Sequence, residues 1–342
     1  MKRTRLSCEK EFKNGESPRF DVLQFSCARG VSFCQTLRER TAVAPRLASR
    51  RPTMKQLPDL LQDPRALAAV RTALAEDIGS GDVTTLALVN PSVQARGAIL
   101  AREACRVAGG GVAAAALREV DPAIECVTVV PDGGDVGAGN VILRLQGPAA
   151  GILTAERTAL NFMQRMCGIA TRTAQFVDAV KEFHTVILDT RKTTPGLRLF
   201  EKYSVLCGGG VNHRFGLYDR ILIKDNHRRL WHDGDPERLD LAVAAARQRF
   251  PGLPVEVEVE SLAELRSALN GRPEWVLLDN MTCELMRTCV ELARGISKTE
   301  ASGGITLKRV RYVAATGVDA ISVGGLTHSA PAVDLSLEWT AV

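Results

Sequence analysis

Between Cys207 and His227 the chain reads CGGGVNHRFGLYDRILIKDNH, gathering Asn212, His213, Arg214, Lys224, Asp225 and Asn226 around one apolar tripeptide, residues 221–223. A surface loop has no need of such a tripeptide running straight into charge, whereas a short buried strand that delivers side chains to a site does. The same rhythm recurs further along. VILDTRK ends in Arg191 and Lys192, VEVEVE carries Glu258, VLLDN ends in Asp279 and Asn280, EASGG in Ser302, Gly303 and Gly304, and AISVGG in Gly324 and Gly325. Arginine forks suit bidentate capture of carboxylates, and Lys192, Lys224 and His213 add further positive charge, so the expected guest is a small molecule with several negative charges. Glycine pairs at the last two strand ends suit a phosphate held by backbone N–H groups. Glu258 and Asp279, at the ends of neighbouring strands, suit ribose hydroxyls or Mg²⁺.

Each residue also has a plainer reading. Arg157 suits a solvated helix face, His213 and His227 suit satisfied loop histidines, and His328 suits a helix cap. The glutamates of VEVEVE share one side of their strand, where inter-layer ion pairs would also place them. Lys192 or Lys224 could form an imine, as in a Schiff-base aldolase. That chemistry needs one desolvated lysine, however, whereas a crowd of cations needs an anion.

The elements that must position these residues fall into two rhythms. From Met54 to about residue 165, helical and strand patterns mix: a helix over DPRALAAVRTALAED, a strand near Ala98 to Ala101, a glycine-led helix over GGGVAAAALREV, then strands separated by glycine turns. This predicts an α+β, sandwich-like N-terminal domain. TAERTALNFMQRMCG follows as an amphipathic helix with a glycine stop at Gly168, and its polar stripe aligns Arg157, Asn161 and Gln164. From residue 166 to 329, short apolar strands alternate with helices, which predicts a parallel sheet closed into an open (β/α) barrel of about six to seven strands. Residues 330–342 are expected to pack back on the first domain. LARGISKTEASGG is weak as a strand by propensity.

Length and charge narrow the function classes. The 342 residues, 45% hydrophobic and 24% charged, suit a globular protein of two domains. The net charge of +5 resides in residues 1–53, which hold nine Arg and three Lys against five acidic residues, so the remainder is slightly acidic. The basic excess therefore does not mark a nucleic-acid-binding body; a basic arm acting alone would have to carry salt-dependent affinity by itself. Residues 1–53 read as a disordered extension or an over-long start, with an Arg-rich presequence as the alternative. No run reaches the length of a membrane helix. Nine cysteines form neither a C-x-x-C pair nor zinc spacing, which suits a reducing compartment and a cytoplasmic location.

The segments EDIGSGDVTT, ERTALNFMQRMCGIAT, DTRKTTPGLR, EKYSVLCGGGVNHRFGLYDRILIKDNH, VLLDN, ASGGIT and GVDAISVGGLTHS resemble, in this order from about residue 55 onward, the quinolinate phosphoribosyltransferase family. The resemblance implies an N-terminal α/β domain, an open barrel and a homodimer with shared active sites. It implies transfer of phosphoribose from 5-phosphoribosyl 1-pyrophosphate to quinolinate, with Mg²⁺, giving nicotinate mononucleotide, pyrophosphate and CO₂ for NAD biosynthesis. By position, Arg157, reaching from a partner subunit, with Arg191, His213, Arg214 and Lys224, would bind quinolinate. Lys192, Glu258 and Asp279 would serve pyrophosphate, ribose and metal, and Ser302, Gly303, Gly304, Gly324, Gly325 and His328 would hold the 5-phosphate. Among relatives, the cluster of Arg157, Arg191, His213, Arg214 and Lys224 favours a dicarboxylate over nicotinate.

Overall fold

The structure, a computed structural model, describes residues 57–231 and 234–340. The expectation for residues 1–53 lies outside the described residues. α1 (Pro64–Ile78) starts where Asp63 accepts the Arg65 N–H, with proline at the position where a missing donor costs nothing. α2 (Val83–Leu88) is capped in the same way by Asp82, which accepts from the Thr85 N–H.

The chain then runs through β1 (Gln94–Ala101), β2 (Cys105–Arg106), α3 (Gly110–Val120), β3 (Glu125–Thr128), β4 (Asp135–Val136) and β5 (Val141–Pro148). β1, β5 and β3 form an antiparallel sheet whose other edge is the last strand of the chain, and β2 pairs with β4. Ile99, Leu117, Ile142, Ile152, Met163 and Met166 fill the core between this sheet, α3 and α4 (Ala149–Ala179).

The second sheet is parallel throughout. Its strands are β6 (Val186–Leu188), β7 (Ile221–Ile223), β8 (Val255–Val259), β9 (Trp275–Asp279), β10 (Lys298–Ser302) and β11 (Ala320–Ser322), in the spatial order β6-β11-β10-β9-β8-β7. The helices between them are α5 (Arg198–Cys207), α6 (Asp225–Arg229), α7 (Leu239–Arg249), α8 (Leu262–Asn270), α9 (Cys283–Ala293) and α10 (Leu307–Ala314), and β12 (Leu335–Thr340) closes the chain against β1. β6 and β7 do not pair, and a single bridge from Leu188 to Val211 stands where a seventh strand would begin. The result is the expected open (β/α) barrel. Along β8, Val255, Val257 and Val259 join the core beneath the helices, which leaves Glu256 and Glu258 pointing into the barrel. β10 forms despite its weak propensity because β9 and β11 flank it and bury Thr299, Glu300 and Ala301.

One sequence expectation is corrected. Gly168 does not stop a helix: α4 runs unbroken for 31 residues through it. A Cβ at Gly168 would lie 2.0 Å from the Pro331 carbonyl oxygen and 3.2 Å from Ala332 Cα. The glycine is therefore required by the close crossing of a segment 163 residues away, and a local stop signal cannot be told from such a contact.

Candidate active site

The C-terminal ends of the barrel strands bring together the residues that the strand-end rhythm selects. Arg191 and Lys192 follow β6, Asn212 to Arg214 lie at the barrel opening, Lys224 follows β7, Glu258 and Asp279 lie at the ends of β8 and β9, and the glycine pairs follow β10 and β11. Arg214 feels both its burial and the neighbouring Arg191, and both pull its pKa down. Two guanidinium groups held this close, with Arg191 Nε buried and unpartnered, raise the local positive potential and call for an anion. Lys224 is ion-paired with Glu258, so in this state the two share their charge across the cleft.

Asp189 and Lys202 form the foundation of the opening. Both are buried, and Lys202 Nζ donates to Asp189 Oδ1 at 2.5 Å and to the His213 carbonyl at 3.1 Å. The His213 N–H donates to the same oxygen at 2.8 Å, and the Asn212 amide, assigned with its nitrogen inward, donates to Asp189 Oδ2 at 2.7 Å. Burial raises the Asp189 pKa to about 6 against the attraction of Lys202.

The ring of His213 points inward. Its Nε2 lies 2.9 Å from Glu256 Oε2 and 3.4 Å from Glu300 Oε2, while the Arg214 N–H donates to its Nδ1 at 2.7 Å. Burial alone would lower the pKa of this imidazole and the neighbouring carboxylates of Glu256 and Glu300 pull it upward, but protonating Nδ1 would cost the Arg214 N–H its acceptor. The contacts are therefore those of the neutral Nε2–H tautomer. Burial and the charge of Glu256 raise the Glu300 pKa. Arg220 Nη1 lies 3.3 Å from Glu256 Oε2 and offsets its charge.

The opposite side of the mouth carries the two glycine pairs. Gly303 and Gly304 have φ of +90° and +58°, and a Cβ on Gly303 would stand 2.1 Å from Asn280 Oδ1. Only glycine satisfies both the backbone angle and the close approach. Asn280 itself has positive φ and donates to Asp279 Oδ2 at 2.8 Å. A Cβ on Gly324 would approach Lys192 Cδ at 3.0 Å and His328 Nε2 at 3.1 Å, so these two basic side chains flank the second glycine pair. Arg165 ties the two sides together by donating to Glu201 Oε1 and to the carbonyls of Thr327 and Ala330. Glu201 also accepts from Thr194, and Thr327 Oγ1 donates to the Lys192 carbonyl at 2.8 Å.

Arg157 stands apart, exposed on α4, and makes no hydrogen bond or ion pair among the described residues. Gln164, of the same helix stripe, turns instead to the Leu335 carbonyl. His227 accepts from the Lys224 N–H and caps α6. The sequence reading did not select Asp189, Lys202, Arg165, Glu201, Arg220 or Glu300. The charges of Glu201 and Lys202, adjacent in an otherwise apolar helix, were the available signal. A cavity of about 620 Å³ is lined by Glu274, Arg287, Arg294, Lys298 and Asp319 at the N-terminal ends of β9 to β11. It lies away from the strand ends where barrels carry chemistry.

Comparison with known proteins agrees with this fold. Residues 82–167 match the model of the quinolinate phosphoribosyl transferase N-terminal domain, and residues 169–338 match that of the C-terminal domain, the two meeting inside α4. A Mycobacterium leprae protein named nicotinate-nucleotide pyrophosphorylase [carboxylating] is 42% identical over 275 residues, covering 79% of this chain and 95% of its own. A tobacco protein named quinolinate phosphoribosyltransferase [decarboxylating] 2b, mitochondrial, is 37% identical over 336 residues, covering 91% and 95%. The solved nicotinate-nucleotide pyrophosphorylase of Francisella tularensis superposes with a TM-score of 0.76 at 39% identity, covering 81% of this chain and 96% of that one.

Proposed function

The chain belongs to the quinolinate phosphoribosyltransferase family, and from that premise we propose that it joins quinolinate to 5-phosphoribosyl 1-pyrophosphate, releasing pyrophosphate and CO₂ and leaving nicotinate mononucleotide for NAD biosynthesis. The observation that carries this reading is the mouth itself: Arg191, Arg214 and Lys224 gather at one side, and glycine pairs flanked by Lys192 and His328 at the other. A dicarboxylate and a pyrophosphate placed side by side in a poorly hydrated cleft need that much positive charge.

Arg191, Arg214 and Lys224 bind the two carboxylates, with His213 beneath them, and orient the pyridine nitrogen towards the anomeric carbon. As pyrophosphate leaves, the ribose becomes oxocarbenium-like. Lys192 offsets the leaving charge, and Glu258 and Asp279 favour the cationic sugar. The new nitrogen–carbon bond makes the ring a pyridinium, whose positive charge stabilises the electron pair left on the ring carbon when the adjacent carboxylate departs as CO₂, and that carbon then takes up a proton to give nicotinate mononucleotide. Positioning supplies most of the rate, since the mouth holds no group arranged as a strong general base. Ser302, Gly303, Gly304, Gly324, Gly325 and His328 receive the 5-phosphate.

The oxygen donors Glu258 and Asp279 fit Mg²⁺ held chiefly by the substrate's pyrophosphate, because two carboxylates alone do not make a complete octahedral cage. When bound, the ion would neutralise charge developing on the leaving group.

The working unit is a homodimer in which Arg157 reaches the partner's mouth. In support, Val83, Leu86 and Leu88 on α2 are 74, 77 and 80% exposed, an apolar face that a second subunit would cover. Asp82, which caps α2, accepts from Thr154 one turn before Arg157, so that face adjoins this arginine. Arg157→Ala and Lys224→Ala chains, each nearly inactive alone, recover activity on mixing if sites are shared, and no recovery refutes sharing. The unpaired cysteines among the described residues support a cytoplasmic enzyme, and recovery in an organelle fraction would refute that. No helix among the described residues is long and apolar enough to cross a membrane. The reaction is tested by turnover of quinolinate against nicotinate, with and without Mg²⁺. Mg²⁺-dependent turnover of quinolinate alone is expected, and turnover of nicotinate alone would overturn the assignment.

A further inference from the structure

Inside the barrel, beneath the quinolinate side of the mouth, lies a buried group of four ionisable side chains: His213, Arg220, Glu256 and Glu300. We propose that Glu256 and Arg220 are positioning residues for quinolinate binding. Glu256, braced by Arg220, accepts the His213 Nε2 proton and so leaves Nδ1 free to accept the Arg214 N–H, which fixes the bend that carries the Arg214 guanidinium into the cleft. The inference rests on the quinolinate reading and adds to it residues that touch no substrate.

The contacts run in series. Glu256 is fully buried and its Oε2 takes both His213 Nε2, at 2.9 Å, and Arg220 Nη1, at 3.3 Å. His213 Nδ1 takes the Arg214 N–H at 2.7 Å, and Arg214 Nη1 donates onward to the Arg220 carbonyl at 3.2 Å. Arg214 is therefore held at its backbone by His213 and at its side chain by the residue that braces Glu256. The barrel is open between Val211 and β7, so no ladder of backbone hydrogen bonds holds residues 212–220 in place there. The side-chain cluster takes over that task.

Glu300 plays a different part. Neither of its carboxyl oxygens has a hydrogen-bond partner, although the residue is fully buried, and its nearest contact with His213 is 3.4 Å. Burial and the charge of Glu256 favour the protonated form of a carboxyl group so placed. The donor atoms of His213, Glu256 and Glu300 lie close enough together to suggest a metal ion. Arg220 already supplies the positive charge that Glu256 needs, and a further cation would meet its guanidinium.

The asymmetry between the two glutamates supplies the test. Wild type, Glu256→Gln and Glu300→Gln are compared with each substrate varied in turn. Glu256→Gln, which offers His213 Nε2 and Arg220 a neutral amide oxygen in place of a carboxylate, is expected to raise the KM for quinolinate about 10- to 100-fold, the loss associated with one hydrogen bond to a charged partner. The KM for phosphoribosyl pyrophosphate should stay within about twofold, and Glu300→Gln should leave both constants within about twofold. Equal increases in both constants for Glu256→Gln, or equal damage from the two substitutions, would reduce the cluster to barrel packing and overturn the proposal. Imidazole ¹⁵N NMR of the wild type reads the tautomer directly. A neutral, Nε2-protonated His213 near pH 7 supports the proposal, and a doubly protonated ring overturns it whatever substrate the enzyme uses. Absence of any wild-type turnover of quinolinate would instead refute the functional reading, leaving the NMR result to decide the positioning role.

Discussion

Replacing Lys202 by methionine isolates the ion pair beneath the mouth. Lys202 and Asp189 are 1% and 0% exposed, so the folded state keeps both side chains from water. Methionine preserves most of the stem but strands the Asp189 carboxylate with the His213 N–H and the Asn212 amide as its remaining donors. It also removes a donor from the His213 carbonyl. Breaking a buried pair from one side costs about 3–5 kcal/mol. For a folded body of this size, where each kcal/mol shifts the midpoint by roughly 2–4 °C, that corresponds to a fall in Tm of very roughly 6–20 °C. The double change Asp189→Asn with Lys202→Met removes both charges, so it should be less destabilising than Lys202→Met alone. Urea unfolding at pH 7 of wild type, both single variants and the double variant measures the coupling directly. A Lys202→Met protein within about 1 kcal/mol of wild type, or a double variant whose loss equals the sum of the two single losses, would refute the reasoning, since either result means the charges are not mutually dependent.

Two further outcomes follow from the same physics. Gly168→Ala should destabilise by at least the roughly 1–3 kcal/mol of an over-packed core, because its methyl group meets the Pro331 carbonyl backbone and no flexible side chain can yield; a thermal midpoint equal to wild type would show that α4 and the 330–333 segment can separate freely. Glu300 has its folded pKa raised above the ordinary carboxyl value of 4.5, so the folded state favours its proton, and the resulting stability is present below that value and lost as pH rises through the folded pKa. Glu300→Gln should therefore gain stability relative to wild type as urea unfolding is repeated from low to high pH, and two curves that stay parallel would contradict the assignment.

Much of the mouth is legible in the sequence because a barrel strand ends where its apolar run ends. Ile221 to Ile223 leading into Lys224, and the VLL run leading into Asp279, announce both the strand and the direction in which it delivers its last residue. The alternation of valine and glutamate along β8 similarly reports which side faces the helices. What supports those residues is not legible in the same way. Lys202 sits on α5 with its partner just past the end of β6, and Arg165 on α4 finds its carbonyl acceptors 162 and 165 residues downstream, at Thr327 and Ala330. No helical or strand period encodes a partner at such a separation. Gly168 shows the same limit from the opposite side: a glycine read as local punctuation answers to a backbone that crosses it from the end of the chain.

The account's central claim, that the cationic mouth places a dicarboxylate beside an activated ribose, is tested most directly with quinolinate carrying ¹³C in its 2-carboxylate. With phosphoribosyl pyrophosphate and Mg²⁺, the account predicts labelled CO₂ and unlabelled nicotinate mononucleotide in equal amounts. Labelled CO₂ without nucleotide, or a nucleotide that retains the label, would contradict it.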